Sequence, residues 1–203
     1  MSATDFFDED QFDPAPPPPR VGSMPDVMID LETMGTRHDA PIIALGAVAF
    51  NLATLEIGEK FYANITLSSS VALGSVVDPS TVMWWLRQSE DARKAVTRKG
   101  QPATEVLTDF SDWLTANVVA LKDRKVWACS PDFDCVILGE HYHKAGLDVP
   151  WMYYAKRDYR TVRELWKSVP EDVNASAHNA LDDAVHQVNH LFKIKGVLRG
   201  NKS

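Results

Sequence analysis

Two carboxylates lie two positions apart, directly after a short apolar run at residues 27–29. The acids are Asp30 and Glu32, and Leu31 separates them. In a strand, alternate side chains face the same side, so the two carboxylates would point the same way. Like charges this close repel unless a cation lies between them. Oxygen ligands of this kind suit Mg²⁺ or Mn²⁺, so the pair predicts a metal site, although acid pairs at strand ends also occur without a metal.

Two further segments place acids at the start of predicted helices. Residues 131–134 read Pro-Asp-Phe-Asp, and residues 178–184 read His-Asn-Ala-Leu-Asp-Asp-Ala. Acids in a first helical turn complement the helix dipole, so each segment alone fits an ordinary solvated helix. Together the three segments provide the side chains that phosphodiester cleavage by two metal ions requires. Several carboxylates hold ions about 4 Å apart, and a base accepts a proton from water.

The order of these segments resembles that of the DnaQ-like, RNase H-like 3′→5′ exonucleases of the DEDDh type. This family carries D-x-E in its first motif, F-D at a helix start in its second and H-x4-D in its third. The matching residues are Asp30, Glu32, Asp134, His178 and Asp183, and the resemblance spans about residues 25–193. Helical periodicity leaves Asp132 and Asp182 open as alternatives, and the motif spacing selects Asp134 and Asp183 instead.

The resemblance implies a metal-dependent 3′→5′ exonuclease that releases nucleoside 5′-monophosphates from DNA 3′ ends. The four carboxylates would hold two Mg²⁺ or Mn²⁺ ions. His178 would be the general base, because histidine commonly exchanges protons near neutral pH. An exoribonuclease that trims RNA ends is the nearest alternative. A catalytically inactive scaffold that binds nucleic acid or docks a partner is the other, and the complete motif set argues against it.

A second set of residues is predicted to contact the substrate. A closer similarity, to short single-domain exonucleases of phages and bacteria, rests on residues 81–85 and 157–161. The two adjacent tryptophans could stack on bases, but neighbouring helix positions face different ways, so at least one is expected in the core. The arginines could hold phosphates or lie in a solvated loop. The full set is Thr33, Met34, Trp84, Trp85, Ser130, Arg157 and Arg160.

Three members of this set are assigned from the family alone. Glu32 and the backbone after it, at Thr33, would hold the terminal 3′-hydroxyl. Met34 would wedge beside the terminal base, or else fill space. Ser130 stands where the family often has asparagine, three residues before the motif phenylalanine, so an altered grip on the substrate is expected.

Apolar runs and helical periodicity predict an α/β fold. Strand-like runs joined by short links, at residues 27–29, 42–50 and 55–65, predict an antiparallel meander. Asp78 followed by Pro79 predicts a capped helix start. Together with the resemblance, these elements predict an RNase H-like mixed sheet, with three antiparallel strands first, then parallel strands, flanked by helices. The later elements are predicted at residues 102–121, 125–129, 132–144, 161–166 (capped by Thr161) and 179–193.

Residues 1–22 differ in composition from the predicted folded domain, residues 23–203. They carry five acids, three phenylalanines and a proline-rich run ending at Arg20, which predicts a disordered tail. A docking element for a protein partner and a self-inhibitory strip are alternatives to a solubilising tail. The net charge of the chain, −7, argues against a wide basic surface, but it allows an enzyme that grips one strand end.

Cysteine usage and hydropathy indicate the cellular setting. Cys129 and Cys135 form neither a metal-spacing motif nor a disulfide framework, which favours a reducing compartment. An apolar run of about 18 residues is missing, as is a basic start followed by an apolar run. We therefore expect a cytoplasmic protein without a membrane partner. The similarity to phage exonucleases extends this expectation to a phage protein acting in a bacterial host.

Overall fold

The computed structural model describes residues 24–174 and 178–200, so the predicted tail at residues 1–22 lies outside the described residues. The strands within them are β1 (Asp26–Thr33), β2 (Ile42–Asn51), β3 (Glu56–Asn64), β4 (Lys125–Ala128) and β5 (Lys156–Asp158). The helices are α1 (Leu67–Ala72), α2 (Pro79–Trp85), α3 (Glu90–Val96), α4 (Ala103–Asn117), α5 (Asp134–Lys144), α6 (Tyr159–Leu165) and α7 (Ala180–Gly200), with a 3₁₀ turn at Leu121–Asp123. Among these helices, none combines the length and the apolar composition needed to cross a membrane.

β1 is the central strand of a mixed sheet with the order β3-β2-β1-β4-β5. β1 and β3 each pair antiparallel with β2, whereas β1 pairs parallel with β4, and β4 pairs parallel with β5. Three antiparallel strands are thus extended by two parallel ones, which confirms the predicted arrangement. Because β1 is paired with β2 along its whole length, the side chains at its carboxyl end have a fixed position.

Alternation along β1 sends its side chains into two layers. The odd-numbered residues from 27 to 31 join the larger core, which also contains the apolar faces of α4 and α5. Met28 joins a second core that α7 covers. Asp30 and Glu32 follow Met28 by two and four positions, so they share its face and point toward α7.

A tight turn sets the start of α5. The amides of Phe133 and Asp134 both donate to the carbonyl oxygen of Ser130, at 2.9 and 3.2 Å. The chain therefore turns before it becomes helical, and α5 begins at Asp134 rather than at the predicted Asp132. β1 likewise continues to Thr33, beyond the predicted strand-like run at residues 27–29.

Aspartate caps define the start of two short helices. Asp78 caps α2 through the amide of Ser80, as predicted. α6 is capped by Asp158, so the predicted cap at Thr161 is wrong. The hydroxyl of Thr161 donates to the Asp158 carboxylate at 2.5 Å and supports that cap instead. The short elements α1, α3 and β5 were not predicted from the sequence.

Gly46 allows α7 to begin directly on the sheet. Gly46 pairs with Asp30 across β1 and β2. A Cβ atom at this position would overlap the backbone of Ala180 and Leu181, the first residues of α7. The missing side chain therefore lets the helix start come against the strand that carries Asp30, and this brings Asp183 close to the acids of β1.

Gly46→Ala should push the start of α7 away from the sheet and lower the free energy of unfolding by about 1–3 kcal/mol, as overpacking does in other cores. Gly196→Ala is the matched control, because Gly196 lies in α7 with open space around it. The control should stabilise the helix by about 0.5–1 kcal/mol or leave it unchanged. Urea unfolding of the two variants measures this difference, and equal effects would contradict the role of Gly46.

Candidate active site

Three carboxylates from two elements meet at the carboxyl end of β1. Asp30 and Glu32 come from β1, and Asp183 comes from the first turn of α7. One oxygen atom from each lies within 4.8 Å of the others. We call these three residues the acid cluster. Asp183 is held from the preceding segment, because its Oδ2 accepts from the amide of His178 at 3.0 Å and its Oδ1 accepts from the side chain of Asn174.

Asp134 lies next to the acid cluster without belonging to it. Its side chain is buried at the start of α5. Its Oδ1 accepts a hydrogen bond at 3.2 Å from the amide of Leu31, the residue between the two acids of β1. Ser130, whose carbonyl holds the preceding turn, has a φ of 112°, which is uncommon for a residue with a side chain. This turn presents Asp134 to β1.

Burial and mutual repulsion raise the pKa values of these carboxyls. Burial, and then the charges of Asp183 and Asp134, raise the pKa of Glu32 to about 8. Burial raises the pKa of Asp134 to about 7, although the positive charge of Arg160 opposes the rise. The pKa of Asp30 lies well above its ordinary value, first because of burial and then because of the neighbouring carboxylates. Burial also raises the pKa of Asp183. The site therefore concentrates negative charge that protons or a cation would compensate.

The donor set of the acid cluster fits a divalent cation. Oε1 of Glu32 is buried and has no hydrogen-bond partner among the described residues. A set of carboxylate oxygens is what Mg²⁺ and Mn²⁺ prefer, and a cation here would offset the repulsion between the acids. The acid cluster can therefore hold a divalent ion, with Asp134 beside it.

His178 lies between the acid cluster and a pair of tryptophans. Its ring meets Trp84 edge-on, with 4.9 Å between ring centroids and 85° between planes, and lies 6.2 Å from Trp85. Trp85 is buried, and its Nε1 donates to the carbonyl oxygen of Thr33 at 3.0 Å. Trp84 is 41% exposed. One tryptophan thus belongs to the core, as predicted, and the other presents a surface beside the histidine.

A cavity of about 450 Å³ opens between the end of β1 and α2. We call it the α2 cavity. Trp84, Trp85 and Phe133 form its aromatic walls, and the other lining residues are Thr33, Gly35, Thr36, Ser80, Thr81 and Arg87. Aromatic faces with a few hydroxyl groups suit a nucleobase and its sugar. Both tryptophans also contact the ring of His178, whose backbone amide donates to Asp183, so His178 connects the cavity with the acid cluster.

The other predicted substrate contacts occupy different settings. Met34 is half-buried and packs in a small apolar cluster with Trp85, where it fills space. Arg157 and Arg160 donate to backbone carbonyl oxygens of nearby residues. The positive charge of Arg160 also lowers the pKa of Asp134. Contact of these three side chains with a substrate stays a prediction.

The structure adds Gln187, which was not predicted from the sequence. Its Nε2 donates to Oδ1 of Asp30 at 2.9 Å, and its side chain is buried. It follows Asp183 by four residues on α7, so helical spacing was the available signal. The lining of the α2 cavity by Ser80 and Arg87 had no such signal, because it depends on how α2 packs against β1.

Comparison with known proteins gives two sequence matches. Residues 25–195 match the family described as the 3′-5′ exoribonuclease Rv2179c-like domain. The exodeoxyribonuclease of enterobacteria phage T4 is 27% identical over 122 residues. That alignment covers 56% of this chain and 53% of the phage protein, so the chain spans about half the length of this relative.

Solved structures share the fold at low sequence identity. The zinc-bound complex of E. coli exonuclease I with single-stranded DNA matches with a TM-score of 0.62 and 15% identity, over 86% of this chain and 41% of that one. The nuclease domain of 3′hExo, a DEDDh family member bound to rAMP, matches with a TM-score of 0.56 and 14% identity, over 86% and 92%. These matches show that the sheet and its helices form an RNase H-like exonuclease fold.

The stability of the metal-free protein should fall as the pH rises from about 5 to 8. Unfolded carboxyls release their protons near about pH 4, whereas the folded state keeps a proton on Glu32 up to a pKa of about 8. A carboxyl group whose pKa is higher in the folded state stabilises the fold fully at pH values below its unfolded-state pKa. This contribution is lost as the pH rises through the folded-state pKa. Mn²⁺ should remove most of the fall by compensating the charge.

Thermal unfolding midpoints at several pH values, in chelator and in Mn²⁺, measure this dependence. Glu32→Gln serves as the matched variant, because it keeps the shape and removes one titrating group. In chelator, the unfolding midpoint should fall less steeply with pH for this variant than for the wild type. Parallel curves for the two proteins would contradict the assignment.

Proposed function

The chain belongs to the family of 3′-5′ exoribonuclease Rv2179c-like domains, and we propose that it is a divalent-metal-dependent exonuclease that removes nucleotides from the 3′ end of a strand. The observation that carries this proposal is the meeting of the acid cluster with His178 and the α2 cavity. Three carboxylate oxygens within 4.8 Å of one another suit a cation at a phosphate, and the adjoining cavity suits a terminal nucleoside.

The residues divide into three roles. Asp30, Glu32 and Asp183 would hold the metal, and Asp134 would support it from the start of α5. A bound divalent ion supplies Lewis acidity, which offsets the charge that develops on the phosphoryl oxygens. His178 would accept the proton of the attacking water, because it borders both the acid cluster and the cavity.

Hydrolysis at this site would release one nucleotide at a time. Water adds to the phosphorus of the last phosphodiester, and the bond from that phosphorus to the 3′ oxygen of the preceding nucleotide breaks. The preceding nucleotide keeps this oxygen as a new 3′-hydroxyl, and the terminal nucleotide leaves as a nucleoside 5′-monophosphate. The α2 cavity, which Thr33 and the buried Trp85 help to line, would accept the terminal nucleoside.

RNA is the first candidate substrate. The exoribonuclease family match covers residues 25–195, nearly all of the described chain. DNA is the second candidate, favoured by the 27% identity to the phage T4 exodeoxyribonuclease over 122 residues. The sequence alone favoured DNA. Single-stranded ends are the proposed form of the substrate, since the acidic chain offers little basic surface for a duplex.

Digestion of 5′-labelled DNA and RNA oligonucleotides of the same sequence, in Mg²⁺ and in Mn²⁺, tests the proposal. Both strands should shorten from the 3′ end, RNA faster, and excess chelator should stop the reaction. Asp30→Asn should lower the rate about a thousandfold, since one of the three charges that hold the metal is lost. Asp182→Asn is the matched control, because Asp182 is the exposed neighbour of Asp183 and should matter little.

A 3′-phosphorylated strand should resist digestion, because the cavity would have to accommodate an additional charged group. Release of the 5′ label as a mononucleotide at the earliest times would show that the polarity is wrong. Activity in excess chelator would overturn the metal assignment.

His178→Ala should lower kcat by about 10²- to 10⁴-fold, the usual cost of losing a general base. Metal binding should be nearly unchanged, because the contact of His178 with Asp183 uses the backbone amide, which alanine keeps. The pH–rate profile should also change shape. His143→Ala, at an exposed position of α5, is the matched control. A wild-type rate with an unchanged profile would remove His178 from the mechanism.

A further inference from the structure

Gln187 makes a direct contact with the central acid of the site. Its Nε2 lies 2.9 Å from Oδ1 of Asp30, and the side chain of Gln187 is 7% exposed. Gln187 and Asp183 are four residues apart on α7, so one face of this helix delivers both a carboxylate to the acid cluster and an amide behind it. Among the described residues, Gln187 is the one whose side chain donates a hydrogen bond to the Asp30 carboxylate.

The other end of the same amide is left unsatisfied. Oε1 of Gln187 is buried without a hydrogen-bond partner among the described residues. Turning the amide over would place this oxygen against an ionised Asp30 carboxylate, so the donor orientation is the one that fits Asp30 as a metal ligand. An apolar side chain of similar size would fill the same space without burying an unpaired oxygen. The glutamine therefore costs stability in the metal-free protein, and its compensating contact is the one to Asp30.

The setting of Asp30 explains why such a contact matters. Its carboxylate lies close to the carboxyl groups of Glu32, Asp134 and Asp183, which repel it when they are ionised. Without a donor, repulsion would rotate or displace it from the orientation in which its oxygens face the rest of the acid cluster. The Nε2 donor of Gln187, on the packed helix α7, gives Oδ1 of this carboxylate a fixed hydrogen-bond partner.

We infer that Gln187 is a positioning residue, which orients Asp30 through the Nε2–Oδ1 hydrogen bond and thereby sets the affinity of the site for a divalent ion. This inference rests on the proposed function, because it assumes that Asp30 is a metal ligand. Groups that hydrogen-bond to metal ligands typically change metal affinity by about 10- to 100-fold when they are removed. The effect belongs to metal affinity rather than to the chemical step.

Mn²⁺ titration of the metal-free full chain by calorimetry tests this inference without relying on activity. Gln187→Met and Gln187→Leu keep the volume and the packing but remove the donor. Asn189→Met makes the same kind of change at an exposed position of α7. Both Gln187 variants should need about tenfold more Mn²⁺ for half-saturation, or more, while Asn189→Met should match the wild type. At saturating Mn²⁺, the rate of either Gln187 variant should recover to within a few-fold of the wild type.

Two results would overturn the inference. Mn²⁺ titration curves that coincide for the Gln187 variants and the wild type would do so, and any loss of thermal stability would then reflect packing alone. A rate that stays low at saturating Mn²⁺ would also contradict it. Asp30→Asn in the same titration separates this failure from that of the proposed function. If Asp30→Asn binds Mn²⁺ as tightly as the wild type, the metal site itself is misassigned.

Discussion

The carboxylates of the site repel one another, and the fold has to hold them together against this repulsion. The acid cluster and Asp134 together come from three separate elements, β1, α5 and α7, and in a flexible chain these acids would move apart until each recovered its ordinary pKa. Here each stands on backbone that is held elsewhere. β1 is paired with β2 along its whole length, α7 begins directly on the sheet at Gly46, and the amide of Leu31 ties Asp134 to β1. The apolar cores on the two faces of the sheet stabilise a geometry that the acids alone would oppose.

Much of this arrangement can be predicted from the sequence, because it follows from the periodicity of apolar residues and the order of the motifs. Alternation along β1 sets the shared face of Asp30 and Glu32, and the apolar runs predict the antiparallel strands. Periodicity does not separate Asp134 and Asp183 from their neighbouring acids, and the resemblance to the DEDDh motifs selects them. The first and last residues of helices are harder to predict, since neighbouring side chains compete for the same backbone amide donors. The carboxylate of Asp158 takes the cap of α6 that the hydroxyl of Thr161 would otherwise provide.

What the sequence does not disclose is contact between distant segments. Trp84 and Trp85 are chemically equivalent until α2 packs against β1, and only then does one become core and the other surface. The same packing creates the α2 cavity. Gln187 lay within reach of a spacing argument, but an amide on a helix has many uses, and its partner is 157 residues away in the chain. Tertiary placement alone selects among them.

Within residues 24–174 and 178–200, three residues with side chains adopt a positive φ: Leu55 at 66°, His178 at 71° and Ser130 at 112°. Glycine would adopt these conformations at less cost. In a search for thermostable variants, glycine or asparagine at position 55 would raise stability without affecting activity, because the β2–β3 turn lies outside the site. The same replacement at position 178 would relax the backbone and delete the proposed proton acceptor. Selection for stability is therefore compatible with selection for turnover at position 55, whereas the two oppose each other at position 178.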